Sequence, residues 1–223
     1  MAGKKINDTV IIVIIVAGFF LFLTSLLHQN NFVDRWFADA RAATLFEILF
    51  CIWILAEIVN NLWSKKNTVP TTQDRSSYGV VTVTLFGGLF IIAACRSFQI
   101  GVLSGLLQYA GLIVIAGGIL LREWAVLVLG KHFTVRVQTD NTYAMVTSGP
   151  YHYIRHPSYT GSLLALTGIA LAVGTWFGAI LVILISLIAY EYRIRVEEAA
   201  LLRTFGPEYE HYKARTGKLL PKL

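Results

Sequence analysis

Apolar residues run along this chain in stretches of span length rather than in the alternating or one-sided patterns of a soluble fold. Six such runs occur at about 10 to 27, 44 to 63, 78 to 95, 102 to 129, 159 to 173 and 176 to 190. A bilayer core about 30 Å thick takes roughly 20 apolar residues per helix, so each longer run predicts one crossing. The last two are short and predict a hairpin. Val173-Gly174-Thr175-Trp176 between them joins a flexible residue, a polar residue and an interfacial aromatic, as a tight turn at a membrane surface requires. The expected fold is all-α, a polytopic integral membrane helical bundle of about six spans.

The first run follows Lys4 and Lys5, but His28-Gln29-Asn30-Asn31 comes after it where a signal peptide would carry small residues for cleavage, so it is read as a mature span. The chain divides into an N-terminal part, 1–100, of spans without a recognisable motif, and a core, 101–223, that holds a polar loop at 131–160 and the C-terminal helices.

Composition agrees with this reading: 56% of the residues are hydrophobic and 14% charged, against about 25% charged in soluble domains. The net charge of +6 is explained by topology. Six spans put both termini on one side, and if that side is cytoplasmic it receives every Lys and Arg except Arg35, Arg41 and Arg96. The lipid bilayer therefore accounts for the basic balance and no nucleic-acid partner is expected. Cys51 and Cys95 lie within apolar runs, away from any His or Cys at ligand spacing, so no metal and no disulfide are expected.

Candidate chemistry gathers on the same side. Thr147 to Gly161 leads into the fifth span through a Gly149-Pro150 turn, and Pro157 suits the first position of a helix, leaving His156 at an open helix N-terminus able to meet polar or anionic groups. Tyr151, Tyr153, Arg155, His156 and Tyr159 would equally serve as headgroup anchors. A second cluster, Tyr190 to Leu202, continues the last span and places Arg193 and Glu197 on one face, in the less favourable order for a helix-stabilising pair. Beyond it, Phe205-Gly206-Pro207 ends one helix and starts an amphipathic segment with Tyr209 and Tyr212 that is expected to close over the site. Arg122 and Glu123 stand in the fourth span, about 13 Å from its end at 1.5 Å per residue, where ionisable side chains usually mark a functional path.

Taken together, from Arg122 to Pro221, these features resemble the isoprenylcysteine carboxyl methyltransferase family: Arg122 before Gly130-Lys131-His132-Phe133, then Gln138, then Tyr151-x-x-x-Arg155-His156-Pro157-Ser158-Tyr159-x-Gly161, then Arg193-x-x-x-Glu197. The resemblance implies a protein-S-isoprenylcysteine O-methyltransferase that uses S-adenosyl-L-methionine. The implied cofactor pocket is cytoplasmic, is formed by loops and helix ends, and comprises Gln138, Tyr143, Ala144, Met145, Val146, Tyr151, His156, Pro157, Ser158, Tyr159 and Glu197, with Arg122 and Arg193 facing a lipophilic substrate that carries a carboxylate. No Gly-x-Gly-x-x-Gly follows a strand, so a Rossmann-type cofactor domain is not encoded. A phospholipid amine, a small thiol, an NADPH-dependent reduction of a sterol-like double bond, and a non-enzymatic membrane role are the competing readings. Two arginines disfavour an amine, sparse basic residues in 131–160 disfavour a dinucleotide phosphate, and the absence of repeated halves disfavours a transporter.

Overall fold

The computed structural model describes residues 36–67, 75–130 and 145–222. Among these residues six α-helices follow in order: α1 (Ala40–Asn67), α2 (Arg75–Ser97), α3 (Leu106–Leu129), α4 (Pro157–Val173), α5 (Trp176–Phe205) and α6 (Pro207–Arg215), with a short 3-10 turn at Gly149–His152 before α4. Among the described residues there is no strand, only isolated bridges between Val102 and Thr175 and between Ile154 and Gly217. Three of the described helical stretches are long and apolar enough to cross a membrane, Ala40–Asn60, Leu106–Leu129 and Trp176–Phe205, and two shorter apolar ones accompany them, Val83–Ser97 and Pro157–Val173. The chain is therefore an integral membrane protein, all-helical among the described residues. The run at 10 to 27 lies outside the described residues.

Small residues decide how the bundle closes. The most extensive helix contact joins α3 to the antiparallel α4, and its seam carries Gly111 and Gly118 on one side and Gly161, Ala165, Gly168 and Ala172 on the other. A Cβ on Gly118 would stand 2.5 Å from the backbone nitrogen of Ala165, and one on Gly161 would stand 2.7 Å from the backbone nitrogen of Arg122. Backbones approach this closely only without side chains between them, the usual basis of helix association in lipid. Trp53, Ile92, Leu112, Ile115, Leu166 and Ile169 fill the core around the seam.

The hairpin between α4 and α5 forms where the sequence places it. Gly174 takes the left-handed conformation at φ 89°, and the Thr175 hydroxyl accepts from the Gly178 amide to cap α5. Thr175 also donates to the carbonyl of Ile100, while Arg96 donates to the carbonyl of Val173. At 30 residues, α5 is about 45 Å long, well beyond a hydrocarbon core of about 30 Å. Its last turns therefore carry Arg193, Glu197 and Glu198 toward the polar segments.

Candidate functional site

Three elements converge at one end of the bundle. Pro157 occupies the first turn of α4 with His156 as the N-cap residue, so the helix begins at the residue whose missing N–H has no partner to lose. The α5 extension brings Arg193 and Glu197 against that turn. The α3–α4 seam brings Arg122 to it from the other side, because Gly161, one turn into α4, lets the backbone at Arg122 come into contact.

The polar side chains form a connected network. Arg122 Nη1 donates to the Ser158 hydroxyl at 2.7 Å and to its carbonyl at 3.3 Å. Tyr159, the next residue, donates its hydroxyl to Glu197 Oε1. Arg193 Nε donates to the same oxygen at 2.9 Å and to the Tyr159 hydroxyl at 3.2 Å. His156 lies between two carboxylates, with Nδ1 3.5 Å from Glu197 Oε2 and Nε2 3.4 Å from Glu198 Oε1. Burial opposes a charged imidazole there, but hydrogen bonding to Glu197 and Glu198 outweighs it and holds the His156 pKa above its ordinary value. The Tyr159 ring lies tilted against that of Tyr190 at a centroid separation of 5.1 Å, which walls the network with aromatic rings.

The C-terminal segment straps this region. Arg155 pairs with Glu198 at 2.9 Å and donates to the carbonyls of Lys213 and Thr216. The amides of Arg155 and His156 donate to the carbonyls of Gly217 and Lys218, and the Thr160 hydroxyl donates to the carbonyl of Leu219. Tyr209 and Tyr212 of α6 are buried, and Tyr212 donates to the carbonyl of Tyr151. Desolvation pushes the Tyr212 phenol up to about 12, so it remains a donor at any working pH.

Of the residues singled out from the sequence, Arg122, His156, Pro157, Ser158, Tyr159, Arg193 and Glu197 come together through the contacts above. Tyr151 is buried beside them under α6. Met145 and Val146 are half-buried ahead of the Gly149 turn, and Gln138, Tyr143 and Ala144 lie outside the described residues. Two features were not anticipated. Arg122 is not an isolated cation, since its Nη2 donates to Glu57 Oε2 of α1 at 2.7 Å. Glu57 Oε1 also faces Nε at 2.5 Å, near enough for an ion pair but without the angle of a hydrogen bond, so the Nη2 bond is the one that orients the guanidinium. One turn further along α1, Asn60 donates to Glu123 at 2.9 Å. An acidic residue inside an apolar run was the available signal for Glu57.

Residues 110–203 match the family model of the isoprenylcysteine carboxyl methyltransferase (ICMT) family. That match bears out the resemblance. Curated relatives agree: the chain is 31% identical over 129 residues to the protein-S-isoprenylcysteine O-methyltransferase of Schizosaccharomyces pombe, covering 57% of this chain and 55% of that protein. It is 30% identical over 116 residues to a probable protein-S-isoprenylcysteine O-methyltransferase of Oryza sativa subsp. indica, covering 51% and 61%, and 32% identical over 128 residues to the human enzyme of the same name, covering 52% and 41%. The chain thus spans about half the length of the curated relatives it matches. A solved structure of a eukaryotic intramembrane Ras methyltransferase, ICMT, superposes with a TM-score of 0.61 at 22% identity over 81% of this chain and 67% of that one, which shows a shared fold. The ICMT match includes Arg122, the Tyr151 to Gly161 run, Arg193 and Glu197, and it leaves out Glu57, Asn60 and the strap after Arg215.

Proposed function

We propose that this chain is a membrane methyltransferase that esterifies the carboxylate of a lipid-modified, isoprenylcysteine-like acceptor with S-adenosyl-L-methionine as donor. The observation that carries this reading is the network in which Arg122 and Arg193 reach one helix start through Ser158 and Tyr159, within a stretch that matches the family.

An α-carboxylate, whose ordinary pKa is about 3.5, is ionised at neutral pH and needs no general base. It needs to be held, oriented and kept from water. Arg122 and Arg193 are donor-only side chains suited to hold it, and such positioning is worth as much as about 7–11 kcal/mol of a barrier. S-adenosylmethionine would supply a methyl group on a sulfonium, so that a carboxylate oxygen gains the C–O bond as the S–C bond breaks and no proton is transferred. The chemistry of the residues fits such a cation: Glu197 retains partial exposure, Tyr159 is hydrogen-bonded to it, and the Tyr190 ring lies against that of Tyr159. Glu197, His156 to Tyr159, Tyr151, Met145 and Val146, with Gln138, Tyr143 and Ala144 from the preceding loop, are the proposed cofactor contacts, and Arg122 and Arg193 the proposed acceptor contacts.

Each arginine has a carboxylate of its own, Glu57 or Glu197. Preference for an anionic acceptor over an amine therefore rests on the N–H donors these guanidiniums present rather than on excess positive charge. The proposed topology has about six spans, with both termini and the cofactor site cytoplasmic. The lipid chain of the acceptor enters sideways from the bilayer and the donor enters from the cytosol.

Calorimetric titration of the detergent-purified protein with S-adenosylhomocysteine and, separately, with NADPH tests this reading. Binding of S-adenosylhomocysteine that Glu197→Ala abolishes is expected. Binding of NADPH alone would replace the methyltransferase by a reductase, and binding of neither would leave a non-enzymatic membrane role.

A further inference from the structure

We propose that Glu57 is a positioning residue of the reaction site: by occupying one edge of the Arg122 guanidinium, it leaves the acceptor carboxylate a single point of attachment on that arginine and one oxygen free to attack. This inference rests on the methyltransferase reading and gives the N-terminal part of the chain, which lies outside the family match, a share in the chemistry.

A guanidinium offers five N–H donors in a fixed fork. Both Ser158 acceptors lie on Nη1, Glu57 Oε2 takes one proton of Nη2, and Glu57 Oε1 stands against Nε. Arg122 is thereby fixed between α1 and the start of α4, and one Nη2 proton remains for another partner. Carboxylates prefer to grip arginine with both oxygens, through paired N–H donors. An acceptor held that way would have its nucleophilic oxygen tied down. With Glu57 in place the acceptor meets one donor of Arg122 and keeps its second oxygen for the reacting methyl.

The placement of Glu57 supports a purpose beyond packing. It lies in an apolar helix, where an ionisable side chain is costly and an aliphatic one would serve the lipid-facing bundle better. Asn60, one turn along the same face, holds Glu123, the residue adjacent to Arg122. Two polar contacts at this spacing set both the rotation and the axial register of α1 against α3, which is what aiming the Glu57 carboxylate requires.

The test compares steady-state methyl transfer to a farnesylcysteine acid by the unsubstituted protein, Glu57→Leu, which suits an apolar span, and Glu57→Gln, which keeps one acceptor oxygen. Glu57→Leu is expected to lower kcat at least tenfold and to lower the acceptor KM at least threefold, with S-adenosylhomocysteine affinity unchanged, because the acceptor now grips Arg122 with both oxygens. Glu57→Gln is expected to fall between the two. The paired drop is the signature, since general damage to the fold lowers kcat without tightening the acceptor. A Glu57→Leu protein that binds S-adenosylhomocysteine normally but shows unchanged kcat, or an acceptor KM that stays level or rises, overturns the inference. Should Glu57→Leu fail to bind S-adenosylhomocysteine, the same two directions in Glu57→Gln decide. Absence of any ester from the unsubstituted protein overturns instead the methyltransferase reading beneath it.

Discussion

Replacing Gly161 by Ala tests whether the α3–α4 seam sets the position of Arg122. The added Cβ would lie 2.7 Å from the Arg122 nitrogen and the Gly118 carbonyl oxygen and 2.8 Å from the Arg122 Cβ, whereas ordinary contact begins at 3.4 Å. The helices must part by about 0.7 Å or distort, and overpacking of this kind costs about 1–3 kcal/mol. At about 2–4 °C per kcal/mol for a chain of this size, the melting temperature falls by roughly 2–12 °C. Activity is expected to fall further than stability implies, because a misplacement near 1 Å at a positioned group costs on the order of 10²-fold. Gly117→Ala is the control, since a Cβ there meets nothing within 4 Å. Thermal unfolding in detergent and methyl-transfer rates on both variants are the assays. A Gly161→Ala protein indistinguishable from Gly117→Ala would refute the seam as the device that places Arg122.

Arg193→Lys, which keeps the charge but loses the planar fork, is expected to lower methyl transfer at least 10²-fold while S-adenosylhomocysteine binding weakens less than tenfold; equal losses in both would assign Arg193 to the cofactor instead. Glu197→Gln should weaken S-adenosylhomocysteine binding at least tenfold by calorimetry, and normal binding would remove Glu197 from that site. The raised pKa of His156 means that its contribution to stability is fully present below the ordinary histidine value and lost as pH rises through the raised one. The melting temperature should therefore decline from neutral pH upward, and His156→Gln should flatten that decline; an unchanged slope contradicts the pairing with Glu197 and Glu198. Thr160→Val removes the donor to the Leu219 carbonyl and should cost about 1 kcal/mol while speeding proteolysis of the C-terminal strap, whereas unchanged cleavage would mean the strap is held elsewhere.

Legibility in the sequence followed the range of the interaction. The Gly174 turn, the start of α4 at Pro157 and the continuation of the last span through Arg193 and Glu197 were all readable, because each depends on residues within one or two turns of one another. Tyr159 lies 38 residues from Glu197, yet the motif containing both made their meeting an expectation. The Arg122–Glu57 pair joins residues 65 apart through no motif. Which faces of α1 and α3 meet is set by rotation about each axis and by axial offset, and hydrophobic periodicity encodes neither when helices are apolar all round. The pairing of the 217–219 backbone with residues 155–160 was legible only as a tail expected to close over the site. Its hydrogen bonds are made by main-chain groups, which every sequence supplies alike.

Transfer of a labelled methyl group from S-adenosylmethionine to a farnesylcysteine acid, followed by alkaline release of the label, tests the central claim most directly. The account predicts label in the lipid product that mild base sets free as methanol, as a carboxyl ester requires, and loss of that signal in Arg122→Ala. Label that resists base would mean an amine or thiol acceptor, and no transfer from a protein that binds S-adenosylhomocysteine would contradict the assignment of a carboxylate to Arg122 and Arg193.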